Sequence, residues 1–462
     1  MKHFDALVIG GGILGCFAAR NLRRWQISTL LAEAADDVCT GITRANSAIV
    51  YPGYDNRPGS RKAQMTVRGN AGFDTLCREL DVPFSRCGSL LVSYDEPSAE
   101  KLLRKYRHGL DNGVPGLRLL TGTEAEEMEP MLQTGVVSAL FAPTTGTVSP
   151  WGLGIAAWEN ARHNGAETSL NTKVLSITPQ TGGYLVQTTA GDLSCRVILN
   201  CAGLSADAVQ ALVYPTPIRL HLDSAEYLVL DEHAPKPSRV IFHQASSCGK
   251  GITAIPCVEG NLLLSGVRQP LTEPFATTEA GLQALHTAAK ALLPQLDLSS
   301  VIRSFGAVRP NPETADGSSF PDFCIENPGP GFYSLLGIKT PGITCANELT
   351  MHLALETAAY LKAPENPDFD PIRRGIRPTA SINYDELDGL IRENPDYGEI
   401  ICQCRHITKG EVLEAIARGA KTCEAVKRRI GTAMGVCQGS RCDIRIQEIL
   451  RQAGYPPCYE IK

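Results

Sequence analysis

The chain opens with an apolar strand, a glycine turn and a helix in direct succession. Phe4-Asp5-Ala6-Leu7-Val8-Ile9-Gly10 has the length and composition of a buried strand. Gly10-Gly11-Gly12-Ile13-Leu14-Gly15 follows, then the helical run CFAARNLRR, then STLLAEA, which ends near Glu33. This succession predicts a βαβ unit, and so an α/β core built on a parallel sheet. Gly10, Gly12 and Gly15 stand at the G-x-G-x-x-G spacing. The first allows a tight turn, the second lets backbone N–H groups approach a pyrophosphate, and the third lets helix and strand pack closely. Glu33 closes the second strand, where a carboxylate accepts hydrogen bonds from a ribose. Strand, helix and acid together predict dinucleotide binding; the plain alternative is a glycine-rich turn in another α/β fold. The extreme N-terminal position of Gly10 favours FAD over NAD.

The remaining bulk properties exclude more than they assert. At 462 residues the chain has room for two or three domains. A net charge of −5 gives no support for nucleic-acid binding or for a polybasic membrane signal. No apolar run approaches the roughly 18 residues that would span a bilayer. No signal peptide precedes the first strand, so a cytoplasmic location is expected. In a reducing compartment, close-spaced cysteines read as ligands before disulfides.

Along the chain, helices are expected near 61–80, 97–110, 123–132, 150–164, 277–292 and 343–362. Apolar and alternating segments at 224–231, 239–243, 251–256 and 261–266 predict a second, largely antiparallel sheet. The expected fold class is therefore α/β, α+β overall. A Rossmann-like FAD-binding domain, in parts at about 1–80, 145–215 and 325–362, interleaves with a substrate domain at about 81–144 and 216–324. Pro364, Pro367, Pro371 and Pro378 among many charges mark 363–397 as a surface linker. A small helical module at 398–462 follows, with Thr408-x-x-Glu411 as a capping box ahead of VLEAIARG.

That module holds Cys402-x-Cys404 and Cys437-x4-Cys442. Four thiolates converging on one site suit an iron–sulfur cluster, and a [2Fe-2S] cluster is the preferred reading. Structural zinc favours C-x2–4-C pairs, so C-x-C is tight and C-x4-C loose for one tetrahedral ion. Zinc, or unliganded packing cysteines, remain the alternatives.

Several runs resemble a known family. GITRANSAIVYPGYDNRPGSRKAQM (41–65), ALFAPTTGTVSPWGLGIAAWENARHNGAE (139–167), VILNCAGLSAD and GIKTPGIT are similar to the D-amino-acid-oxidase-type FAD oxidoreductases. The subgroups they resemble are L-2-hydroxyglutarate oxidase and the A subunit of anaerobic glycerol-3-phosphate dehydrogenase, over roughly 1–362. The terminal module resembles the bacterioferritin-associated-ferredoxin-like [2Fe-2S] domain. The resemblance implies FAD held by Gly10, Gly12, Gly15, Glu33, Asn46 and Ser47, by the backbone near Val174, and by Ala202-Gly203. It adds the loop 337–344, with Gly337, Lys339, Pro341, Gly342, Ile343 and Thr344. No second G-x-G-x-x-G is present, so electrons are expected from an organic substrate rather than from NADH.

The substrate site is less legible. Arg309 in FGAVRP matches the position where this family often carries an arginine near the flavin, and its planar fork suits a carboxylate or phosphate. Arg268 and Arg303 are weaker candidates; each arginine also reads as a surface ion pair. Tyr51 stands where the hydroxy-acid subgroup has a histidine, and a phenol with a pKa near 10 is a poor base. Ser265-Gly266-Val267-Arg268 departs from the family's Gly-Pro-Thr. His243 is a candidate base, with a packed strand histidine as the alternative.

The sequence thus predicts an FAD-dependent dehydrogenase of a small anionic substrate, glycerol-3-phosphate or a 2-hydroxy acid. Electrons would leave through a [2Fe-2S] cluster to a partner flavoprotein or iron–sulfur subunit, as the resemblance implies. The rivals are an amino- or imino-acid dehydrogenase of the same fold and a non-catalytic electron-transfer subunit.

Overall fold

A computed structural model describes residues 1–216, 218–245, 251–271 and 273–456, without the Val267 side chain. Cys248 and Cys458 lie outside the described residues. Two compact units are formed, Met1–Ile372 and Arg373 onward.

In the first unit the N-terminal strand Lys2–Ile9 lies between Gly191–Asn200 and Thr29–Ala32, parallel to both. Its residues Ala6, Leu7 and Val8 are fully buried, as a central parallel strand requires. Phe332–Leu336 extends the sheet beyond Gly191–Asn200, and Val174–Gln180 and Gly183–Thr188 add an antiparallel margin. The helices Ile13–Leu22, Pro150–His163 and Gly342–Leu361 share one core through Phe17, Trp158 and Leu349.

The second sheet has eight strands, in the order Val301–Thr314, Ile218–Leu230, Leu262–Pro270, Thr253–Pro256, Val240–His243, Ser89–Ser93, Ser138–Ala142, Arg118–Thr121. All neighbours are antiparallel except Val240–His243 with Ser89–Ser93. The helix Glu279–Leu292 buries Leu285 and Leu292 against it. Its long Ile218–Leu230 and Val301–Thr314 pair runs in register from Ile218↔Thr314 to Tyr227↔Phe305, placing Asp223 opposite Arg309.

The expected linker 363–397 is corrected in both halves. Residues 364–371 are tied onto the first unit through hydrogen bonds from Gln26 N to Pro364 O (2.9 Å) and from Asn160 Nδ2 to Asp370 O (3.1 Å). The fully buried Arg20 donates to Pro371 O and also pairs with Glu79 at 2.8 Å. The second unit already begins at Arg373 and contains a helix, Tyr384–Glu393, capped by Asn383. Proline and charge suppressed the helical signal there, although Asn383 followed by Asp385 and Glu386 is a sound helix start.

In the second unit, a hairpin of Ile400–Cys402 and Ile407–Thr408 leads into helices Lys409–Ala417, Cys423–Ile430 and Asp443–Gln452. The Thr408/Glu411 capping box forms as expected. Glu411 is buried, and it also accepts from Thr379 Oγ1 at 2.6 Å. No helix among the described residues is long and apolar enough to cross a membrane.

Candidate active site and cysteine centre

The glycine turn is forced by close approach. A Cβ on Gly15 would lie 1.8 Å from Gly10 O, so no other residue lets the helix sit on the turn. Gly10 has φ +101°, and a Cβ there would meet Cys201 O at 2.6 Å. Glu33 is engaged by its own backbone surroundings, accepting from Gly11 N (2.5 Å) and Ala35 N (2.7 Å). Each carboxylate oxygen keeps further acceptor capacity for a ribose. Thr43, which sequence reasoning passed over, accepts from Ile13 N at 3.0 Å and lines the cleft at the helix start. It lies inside the 41–65 run.

From this turn a cleft of about 1410 Å³, open solvent included, runs to the loop ahead of helix Gly342–Leu361. Gly12, Asn46, Ser47 and Gly203 line it, as do Lys339, Pro341, Gly342 and Ile343. The Asn46 side chain is spent on its own turn, donating to Thr43 O (2.7 Å) and accepting from Ala48 N (2.8 Å). The other expected cofactor residues stand behind the wall. Thr344 is buried and accepts from Tyr51 N at 2.9 Å, a clasp between two segments. Gly337 has φ +63° and presses on Pro312, and Val174 packs in the sheet core. Gly10, Ala202 and Glu33 likewise do not line the cleft, although Cys201 beside Ala202 does.

These features fit FAD. One end of the cleft has a glycine whose missing Cβ leaves backbone exposed, and the start of a helix. The other end has a second helix start, and the walls between are apolar, with Ile49, Ala225, Ala307 and Ile338. Tyr227 adds an aromatic wall, stacked on Phe305 at 4.7 Å.

A side cavity of about 620 Å³, open solvent included, adjoins the cleft, and Lys62, Arg268, Arg309 and Lys339 all face it, with Tyr51, Tyr54 and Asp55. Asp55 pairs with Lys105 at 2.8 Å. Burial and neighbouring Arg268 lower the Arg309 pKa, and its Nε is buried without a partner. Burial, then Arg309, Arg268 and Lys62, lowers Lys339 to about 8. Lys339 Nζ donates to Asn311 Oδ1, and Asn311 Nδ2 donates to Asp223 Oδ2 at 2.8 Å. Arg309 and Asn311 sit two apart on one strand and so share a face. That periodicity is the signal that would have found Asn311; Lys62 had none. Arg303 is exposed and lines neither space.

Tyr51 lines both spaces, and burial raises its pKa, so its phenol stays a donor. His243 does not join this group. Its neighbour Phe242 faces the cleft, so the strand alternation turns His243 away, edge-on to Tyr94 at 5.8 Å.

The four module cysteines form two pairs. Cys402 hydrogen-bonds Cys442, and Cys404 hydrogen-bonds Cys437. Backbone N–H groups of Ala433, Arg405 and Cys404 are aimed at the Cys402 sulfur, and those of Gly439 and Arg441 at Cys437. Together with the Cys442 contact they lower the Cys402 pKa. Among the described residues no three His, Cys, Asp or Glu groups close on a single ion. Four thiols in two pairs would suit a binuclear cluster better than one tetrahedral ion. Cys423 packs in the module core.

A dinucleotide cleft between a parallel sheet and an antiparallel one, with a cysteine module behind it in sequence, defines a flavin-dependent oxidoreductase with an iron–sulfur domain. Residues 5–355 match the DAO family, FAD dependent oxidoreductase, and the chain belongs to it. Residues 400–452 match the BFD-like [2Fe-2S] binding domain. The chain is 36% identical to a glycerol 3-phosphate dehydrogenase of Caloramator mitchellensis, over 97% of this chain and 94% of the relative. It is 28% identical to the mitochondrial L-2-hydroxyglutarate dehydrogenase of Homo sapiens, over 47% of this chain and 49% of that protein. The FAD-bound L-alpha-glycerophosphate oxidase from Mycoplasma pneumoniae shares the fold at a TM-score of 0.75 and 23% identity, covering 81% of this chain and 99% of that one.

Proposed function

We propose that the chain dehydrogenates a small anionic secondary alcohol, glycerol-3-phosphate before an L-2-hydroxy acid, and passes the electrons to a partner protein. The observation that carries this is the meeting of Lys62, Arg268, Arg309 and Lys339 at one end of the cleft. Four cations around one small space are costly unless an anion joins them. The buried, unpartnered Nε of Arg309 is a donor awaiting an acceptor. Arg309 and Arg268 would hold the phosphate or carboxylate, and Tyr51 would donate to a substrate oxygen. Gly12, Asn46, Ser47, Gly203 and residues 338–343 would hold the FAD. When bound, FAD accepts the hydride, and the [2Fe-2S] centre supplies a one-electron exit. The glycerol 3-phosphate dehydrogenase relative supports the phosphate over the carboxylate.

The test is anaerobic mixing of the FAD- and cluster-loaded chain with glycerol-3-phosphate, L-2-hydroxyglutarate or glycine. Loss of flavin absorbance with glycerol-3-phosphate is expected. Bleaching by glycine alone would favour the amino-acid reading, and bleaching by none would favour a relay subunit.

A further inference from the structure

Removing hydrogen from an alcohol requires a group that takes the hydroxyl proton as the C–H bond breaks. Six residues line both the cleft and its side cavity: Tyr51, Arg268, Arg309, Lys339, Thr340 and Pro341. Arginine does not deprotonate in proteins, and threonine and proline offer no base. Burial raises Tyr51, so its phenol keeps its proton. His243 lines neither space, and Asp55 is paired with Lys105. Lys339 is left.

Its setting is built. Asp223 can only accept, so it draws the Asn311 NH2 group to itself and turns Oδ1 toward Lys339 Nζ. The other Asp223 oxygen faces His221 Nε2 at 3.4 Å. An amine that spends one N–H on Asn311 keeps its lone pair for the cleft. Charged and titratable groups face Lys339 from every side. They are Arg309, Arg268, Lys62 and Asp223 on their separate elements, with Tyr51, Tyr227 and Asp55 around the two spaces. Three of these are cations that favour the neutral amine, and Asp223 opposes them.

We propose that Lys339 is the catalytic base, accepting the hydroxyl proton of the substrate alcohol, with Asn311 and Asp223 as its positioning residues. This rests on the small anionic alcohol being the substrate. The O–H bond breaks toward Lys339 Nζ, turning amine into ammonium. The C–H pair leaves as hydride to the oxidised FAD, and the C–O bond becomes a carbonyl. Lys339, expected from the sequence only as a cofactor contact, thereby becomes part of the chemistry. The neutral amine rises as pH passes through about 8 in the resting protein; a bound anion favours the ammonium, so the limiting rate should rise with pH on the alkaline side of that value. The same titration removes a positive charge from the anion site, so KM should rise as well.

The experiment is anaerobic stopped-flow reduction of the loaded full chain by glycerol-3-phosphate, from about pH 6 to about pH 10, with Lys339→Met and Lys339→Arg. The expected result is a limiting rate lower by about 10²- to 10⁴-fold in both variants, without the alkaline rise. Added methylamine or ethylamine should restore part of the rate in Lys339→Met. FAD retention in Lys339→Arg checks that the site is intact. Competitive acetylation read by mass spectrometry should place the Lys339 titration well below that of the surface lysines in the resting protein. If Lys339→Met keeps its limiting rate and loses only KM, or if Lys339 titrates as an ordinary lysine, the inference is wrong. If the wild type is reduced by no anionic alcohol, the substrate reading fails and takes the inference with it.

Discussion

Gly15→Ala is the sharpest test of how the cleft is made. A Cβ at Gly15 would stand 1.8 Å from Gly10 O, whereas real Cβ contacts stay above 3.0 Å. The gap must open by 3.0 − 1.8 = 1.2 Å, and the obstructing atom is backbone, which cannot swing aside. The helix Ile13–Leu22 has no room to retreat, because Phe17, Arg20 and Leu22 on it are fully buried. The turn therefore yields instead, and the turn presents Gly12 to the cleft. Overpacking of this kind costs about 1 to 3 kcal/mol. If that strain is released by abandoning the cofactor-ready turn, FAD affinity falls by about 10- to 100-fold. The assay is FAD stoichiometry after gel filtration, with the dissociation constant from fluorescence titration. Gly72→Ala is the control. Gly72 is an exposed helix residue with nothing within 4 Å of its would-be Cβ, so alanine there should stabilise by about 0.5 to 1 kcal/mol. Gly15→Ala holding FAD as tightly as Gly72→Ala would refute the close-approach argument.

Arg309→Met should lower kcat/KM for glycerol-3-phosphate by about 10²-fold or more, since each charge-assisted hydrogen bond contributes about 1.5 to 3 kcal/mol. It should also raise the Lys339 pKa, because a like charge is removed, moving the pH–rate profile to higher pH. Cys402→Ser should lose iron and the visible cluster spectrum while keeping FAD, whereas Cys423→Ser should keep both; iron and flavin content decide it. Thr379→Val removes a donor to the buried Glu411 and should destabilise the second unit by about 1 to 3 kcal/mol, read by denaturant melting, with FAD binding unchanged.

The legible parts of the site were those set by local backbone demands. Gly10, Gly12 and Gly15 were readable because a tight turn excludes side chains over a span of six residues. The cysteine pattern was readable because ligand pairs sit close in sequence, and Thr408/Glu411 because a capping box is local. Within 337–344 the run 338–343 lines the cleft without a break, and only the two end residues stand behind it. Lys339 and Ile343 line the cleft, whereas Gly337 and Thr344 brace it from behind. His243 stands one position from the cleft-facing Phe242 on a strand of period two, and so faces away. The 363–397 stretch misled because composition records prolines and charges but not their partners, which lie at Gln26, Asn160 and Glu411.

By itself the sequence determined a nucleotide-binding βαβ start, a four-cysteine module and the family to which the chain belongs, since each is written in residues that are neighbours along the chain. Only the tertiary structure brought Lys62 from a helix, Arg268 and Arg309 from two strands, and Lys339 from a loop to one small space. Their charges act on each other through distance and burial, not through sequence separation. The depressed pKa of Lys339 and the Asp223–Asn311 clasp that holds it therefore exist only once both sheets have closed on the cleft.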